Sequence, residues 1–155
     1  MLDREYKGQV CSIARALEVV GERWSLLIVR TILQGKVRFD DLKETLGITR
    51  SVLTTRLQLL VDEGLVERHQ YSDRPPRFEY RLTEKGNDLW PVLLTLRGWG
   101  DKYYAGPEGP PTTTEHLGCG GGPDDHLICD RCGTPLTLAN TRTYATRSMV
   151  ENLPL

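Results

Sequence analysis

The sequence predicts a mainly α-helical fold of the α+β kind, carrying one small β-hairpin and ending in a small cysteine-bearing appendage. Three observations lead there. Apolar residues recur at helical spacing up to Val61 and again from Leu89 to Tyr103. Between those stretches Phe78, Tyr80 and Leu82 alternate with Glu79 and Arg81, the period of two that marks a half-buried strand. Gly106-Pro107-Glu108-Gly109-Pro110-Pro111 then ends all periodicity, and three of the four cysteines lie beyond it.

The elements follow in order. A first helix, about Cys11 to Val20, repeats Ile13, Leu17 and Val20. A second, about Arg23 to Leu33, repeats Trp24, Leu27, Ile28, Thr31 and Ile32, and Gln34-Gly35 ends it with glycine near the C′ position. A third, Phe39–Leu46, places Phe39, Leu42 and Leu46 on one side, and Gly47 supplies a tight turn at no steric cost. Thr49 is suited to cap the fourth helix, Thr49–Glu63, which buries a stripe of Ile48, Leu53, Leu57, Leu60 and Val61. The periodic residues of the first two helices, Ile13, Leu17 and Trp24 among them, form the expected core with Phe39, Leu42, Leu53, Leu57 and Leu60. The strand Phe78–Leu82 pairs with Val66–Tyr71 through the loop Ser72–Arg77. Thr83 caps a last long helix reaching Tyr104, with apolar Leu89, Val92, Leu93, Leu96, Trp99 and Tyr103. Pro91 lies inside it, removes one amide donor and crowds the carbonyl of Asn87, so a kink or break is expected. This apolar face exceeds what one domain of this size needs, and with the first helix it is expected to join two copies of the chain.

The organisation read from these signals is one domain over residues 8–105, a linker over 106–115 and a small extension over 116–145. A chain of 155 residues is long enough for one such core. No run of 18 apolar residues is present, and Met1-Leu2-Asp3-Arg4-Glu5 is too polar for a secretory signal, so a cytoplasmic protein without a membrane span is expected. The net charge of −1 hides an asymmetry: residues 1–105 hold 17 Lys+Arg and 15 Asp+Glu, whereas 106–155 hold 3 and 6. There is no strong basic field, so any polyanion contact must be local and salt-sensitive.

The fourth helix offers such a contact. Opposite its apolar stripe stand Ser51, Thr54, Thr55 and Gln58, short uncharged side chains that match base edges in a major groove. Arg50 and Arg56 on that helix, and Arg74 and Arg77 flanking two prolines in the hairpin loop, are placed to grip phosphates. A helix, a turn, a helix and an arginine-tipped wing thus predict a binder of double-stranded DNA. The alternative is a protein–protein adaptor of the same fold whose polar face is only solvated. No nucleophile or carboxylate stands at a telling distance from the three histidines, and no glycine-rich phosphate loop follows a strand, so an enzyme is not expected.

These residues also resemble a family. Cys11, Ala16-Leu17-Glu18-Val19-Val20-Gly21-Glu22-Arg23-Trp24 and Leu26-Leu27-Ile28 look like the opening of HxlR-type winged helix-turn-helix regulators. Phe39-Asp40-Asp41-Leu42, Leu53, Arg56-Leu57, Gly64-Leu65-Val66-Glu67-Arg68, Tyr80-Arg81-Leu82-Thr83-Glu84-Lys85-Gly86 and Trp99-Gly100 continue the likeness over roughly residues 8–105. The resemblance implies a homodimeric bacterial transcription regulator with a recognition helix at Thr49–Glu63, a wing at residues 72–77 and helical dimerisation elements. It also implies that a cysteine at the position of Cys11 serves some members as a sensor of oxidants or electrophiles. A helix start and Arg15 one turn on would both favour a Cys11 thiolate; the plainer reading is a small residue packed between subunits.

The remaining cysteines form a separate signal. His116-Leu117-Gly118-Cys119-Gly120 and Cys129-Asp130-Arg131-Cys132-Gly133 are two matching elbows that could deliver one nitrogen and three sulfurs to a tetrahedral structural zinc. Leu127-Ile128 and Leu136-Thr137-Leu138 would form a small ribbon around it, too small to fold without a staple. A disulfide, disfavoured in a reducing compartment, and a ribbon that binds nothing are the competing readings, and His126 is the reserve ligand.

Overall fold

The computed structural model describes residues 11–146, which form two compact units that part between Leu89 and Trp90. The first unit holds helices α1 (Ser12–Val20), α2 (Ser25–Leu33), α3 (Phe39–Leu46) and α4 (Arg50–Asp62). It continues with strands β1 (Val66–Asp73) and β2 (Pro76–Leu82) and the short helix α5 (Glu84–Asn87). Its core is the expected leucine stripe of α4 closed by α2 and α3. Ile28, Val29, Leu42, Leu53 and Leu60 are fully buried, and Leu57, Leu65 and Val66 nearly so. Thr31 is buried without loss because its hydroxyl donates to the Leu27 carbonyl, 2.7 Å away.

Local chemistry sets the boundaries. Gly47 ends α3 in the left-handed region (φ 62), and the Thr49 hydroxyl accepts the Val52 amide at the start of α4. β1 and β2 pair antiparallel from Val66↔Leu82 to Asp73↔Pro76, with a register shift between Gln70 and Ser72. The wing is therefore tighter than the expected Ser72–Arg77 loop: only Arg74 and Pro75 connect the strands. Val37-Arg38 joins as an extra edge, the Tyr80 amide donating to the Val37 carbonyl at 2.7 Å and Arg38 bridging Glu79. Thr83 ties the base of the wing to the end of α4. Its hydroxyl donates to the Gly64 carbonyl (2.7 Å) while accepting the Gly86 amide (3.1 Å).

The second unit holds α6 (Trp90–Tyr104), β3 (Thr112–His116), a 3₁₀ turn (Leu138–Asn140) and β4 (Thr141–Ala145). The break expected at Pro91 is present: α5 stops at Asn87, and Pro91 falls in the first turn of α6, where a missing amide costs nothing. The extension departs from the sequence expectation. Its sheet is β3 with β4, paired from Thr112↔Ala145 to His116↔Thr141, whereas 127–128 and 136–138 contribute at most an isolated bridge, Ile128↔Pro135. β3 starts inside the stretch read as linker, because three consecutive β-branched threonines favour extended backbone even without an apolar alternation.

Two apolar faces stay in solvent. On α1, Ile13 and Leu17 are 71% and 47% exposed, so they lie outside the core assigned to them by periodicity. On α6, Val92, Leu96, Trp99 and Tyr103 follow one another at helical spacing and are all exposed. Among the described residues no helix is long and apolar enough to cross a membrane.

Gly86 and Gly98 give a test of this packing. A Cβ at Gly86 would run into the Leu65 carbonyl, whereas one at Gly98, inside α6, meets nothing within 4 Å. Gly86→Ala is expected to lower stability by about 1–3 kcal/mol, and Gly98→Ala to raise it by about 0.5–1 kcal/mol. Urea midpoints of the two variants should move in opposite directions.

Candidate nucleic-acid interface and metal centre

Helix α4 is amphipathic in a particular sense: one side is leucine and the other is short and uncharged. Ser51, Thr54, Thr55 and Gln58 are all exposed, as the 100° step from the buried stripe requires. Their polar atoms are lightly engaged. Thr55 donates to the Ser51 carbonyl (3.0 Å), Ser51 lies 3.2 Å from the Thr49 hydroxyl, and the Gln58 amide donates to Asp62 (2.7 Å). Such exposed bonds exchange at little cost for bonds to a base edge.

The arginines divide. Arg50 is exposed, its guanidinium over the Phe39 ring (4.7 Å) and 3.4 Å from Asp40. Arg74 and Arg77 are exposed at the wing tip. Arg56 differs from expectation: it is half-buried, turned toward the core side of α4, with its Nε 3.1 Å from a Glu22 oxygen. The reason is angular. Three residues beyond Leu53, Arg56 sits about 60° from the buried stripe and not opposite it. Sequence periodicity underweighted two further arginines, Arg38 and Arg68. They lie over the rings of Tyr71 (4.9 Å) and Phe78 (4.3 Å) and brace the wing.

The four ligand candidates come together as the spacing predicted. The ligand atoms of His116, Cys119, Cys129 and Cys132 all lie within 4.8 Å of one another. His116 Nδ1 is 3.4 Å from Cys119 Sγ and 3.3 Å from Cys132 Sγ, and the Cys119 and Cys129 sulfurs are 3.4 Å apart. Zinc bonds of known length in a tetrahedron would separate such atoms by about 3.5–3.8 Å. The cluster could therefore hold a metal ion with little adjustment. Both elbows use one device: Gly120 and Gly133 each adopt φ 72, and their amides bond back to the carbonyls of His116 (2.8 Å) and Cys129 (2.9 Å). Gly121 is needed for closeness, since a Cβ there would fall 2.5 Å from Cys129 Sγ. His126, the reserve ligand, stays outside the cluster; it is exposed, and its amide donates to Asp124. All four cysteines are free thiols, and Cys11 is exposed just before α1.

The cluster is electrostatically uneven. The hydroxyl and the backbone amide of Thr134 favour the Cys132 thiolate and bring that thiol down to about 6. At Cys119 the Gly121 amide favours the thiolate, but desolvation and the neighbouring Cys129 and Cys132 outweigh it and hold the thiol above its ordinary value.

A buried leucine stripe backing a polar helix, a turn before it and an arginine-tipped hairpin after it define a winged helix-turn-helix DNA-binding protein. The chain belongs to the HxlR-like helix-turn-helix family, whose profile matches residues 19–107. It is 48% identical over 139 residues to Rv3095 of Mycobacterium tuberculosis, described as an uncharacterized HTH-type transcriptional regulator, spanning 90% of this chain and 87% of that one. PA1607, described from its crystal structure as a candidate transcription factor, superposes with TM-score 0.69 at 33% identity, over 88% of this chain and 95% of that one. The oxidized form of the redox regulator HypR matches with TM-score 0.54 at 35% identity, over 62% of this chain and 100% of that one. The protein is thus a DNA-binding transcription regulator of this family.

The uneven thiols have a measurable consequence. A thiol brought down to about 6 is thiolate at neutral pH, so metal-free protein should be alkylated by iodoacetamide at Cys132 well before Cys119. Peptide mass spectrometry across pH should show the Cys132 rate at half its plateau near pH 6 and still high at pH 8. The preference for Cys132 shrinks if Thr134 does not stabilise that sulfur.

Proposed function

We propose that α4 is the recognition helix of a homodimeric regulator, with Ser51, Thr54, Thr55 and Gln58 reading base edges and Arg50, Arg74 and Arg77 holding phosphates. The observation that carries this reading is the exposed, uncharged face of α4 set directly opposite its buried leucines, next to an arginine-tipped wing. Short hydrogen-bonding side chains discriminate bases, whereas arginines on a hairpin tip supply sequence-independent attraction. The exposed stripes on α1 and α6 support dimerisation, and a two-fold pair would set operator half-sites about one helical turn apart, or a multiple of it. Residues 8–105 are assigned to this role and the extension to a separate one, in a cytoplasmic protein.

The metal is proposed to be zinc. One imidazole and three thiolates suit that ion, and four protein ligands leave no position for a reactive water, so the role is structural. Bound zinc would add stability to a unit whose two short strands bury little apolar area. Cys11, exposed at the start of α1, is the proposed redox sensor, because a thiol there is open to oxidants and lies beside a proposed subunit contact.

Three outcomes are expected. Gln58→Ala should relax preference at one operator position at a cost of about 1–3 kcal/mol, and Arg77→Ala should weaken all duplexes alike and flatten the salt slope by about one charge. Fluorescence anisotropy against selected and scrambled duplexes separates the two. Leu96→Asp puts a charge into the proposed contact and should convert a dimer to a monomer in sedimentation; a wild type that is monomeric at micromolar concentration overturns the dimer. A mild oxidant should change operator affinity in wild type and Cys129→Ser but not in Cys11→Ser. A response lost only in Cys129→Ser, with zinc released, assigns sensing to the metal cluster.

A further inference from the structure

Arg56 is the one arginine of α4 that turns away from the open face, and its partner explains why. Glu22 lies in the four-residue joint between α1 and α2, just after Gly21. A single oxygen of Glu22 both accepts the Trp24 amide at the start of α2 (3.0 Å) and meets Arg56 Nε on α4 (3.1 Å). Both side chains are partly shielded, 35% and 27% exposed, so the pair is less screened than a surface salt bridge.

The geometry of α4 gives this contact a job. The leucines at 53, 57 and 60 hold the helix down, but apolar burial is non-directional and leaves rotation about the helix axis weakly specified. Arg56 stands on one flank of that stripe, so its ion pair with a fixed Glu22 oxygen, a charge contact and not a hydrogen bond, favours one roll angle in a way the leucines do not. Roll matters because Gln58, Thr54 and Ser51 must meet particular base edges, and a few degrees at the axis moves a side-chain tip by a sizeable part of a hydrogen-bond length.

We infer that Glu22 and Arg56 are specificity-determining positioning residues: the pair locks the roll of the recognition helix to the α1–α2 joint, and Arg56 is not a phosphate contact. The inference rests on α4 being the recognition helix. Because Glu22 lies two residues beyond the end of α1, the pair also links that end to α4.

The test uses the full chain, a duplex enriched with it from a random-sequence pool, and a scrambled duplex as the non-specific probe. Glu22→Gln and Arg56→Gln should each lower affinity for the enriched duplex about fivefold, and the double variant should be no worse than either, the signature of residues acting as a unit. Affinity for the scrambled duplex and its salt slope should stay as in wild type, and thermal melting should confirm that each variant is folded. A merely structural pair would lower melting temperature without changing the ratio of the two affinities, which overturns the inference. A phosphate-holding Arg56 would weaken both duplexes and flatten the salt slope by about one charge in Arg56→Gln, with Glu22→Gln unaffected, which overturns it too. Gln58→Ala serves as the control for α4 itself: if it leaves the enriched preference intact, the recognition helix is misassigned and the inference falls with it.

Discussion

Burial of Leu53, Leu57 and Leu60 is the constraint on which the DNA-binding unit depends. These three side chains are almost wholly withdrawn from water, and truncating one would cost about 2–5 kcal/mol, a large share of the stability of a small domain. Their burial decides which side of α4 faces outward. Everything polar on that helix is displayed as a consequence, and the turn at Gly47 and the cap at Thr49 only set where the displayed face begins. The wing is then held to the far end of the same helix by Thr83, so helix and hairpin move as one body.

Apolar packing alone leaves an orientation imprecise, and the structure adds charged contacts at defined points. Glu22 meets both α2 and α4, Arg38 and Arg68 lie over aromatic rings of the wing, and Lys85 donates to the Glu63 carbonyl at the C-terminus of α4 (2.6 Å). The last of these also places a cation at the negative end of the helix. A protein with net charge −1 cannot rely on a broad positive field to find DNA. It has to spend its few well-placed arginines at defined points.

The second unit is held together by different means. Its strands are short and threonine-rich, and among the described residues little apolar area is buried there beyond Trp90, Leu94, Cys129 and Leu136. Order comes instead from polar links. The Arg97 guanidinium of α6 donates to the buried Thr114 hydroxyl (2.7 Å), which meets Thr143 across the ribbon (2.6 Å). Two residues along β3 from Thr114 stands His116, so the helix and the histidine–cysteine cluster are joined through one strand.

The sequence by itself determined the elements whose signals are local. Helical periodicity, the glycine at 47, the threonine cap at 49 and the proline at 91 act within a turn or two, so α3, α4 and the break before α6 were legible to the residue or nearly so. The convergence of His116, Cys119, Cys129 and Cys132 was legible for the same reason, since each elbow spans only four residues. What only the tertiary structure decided were partners distant in the chain. Arg56 reads as one more basic residue on a DNA-facing helix until its neighbour 34 positions earlier, Glu22, is seen beside it. The β3–β4 sheet was hidden because its strands are polar and 24 residues of loop and turn separate them, and hydrogen bonding between distant backbones leaves no periodic trace. The same holds for Ile13 and Leu17. Their spacing predicts a buried face, but whether the chain's own core or another surface covers it depends on where the other helices lie.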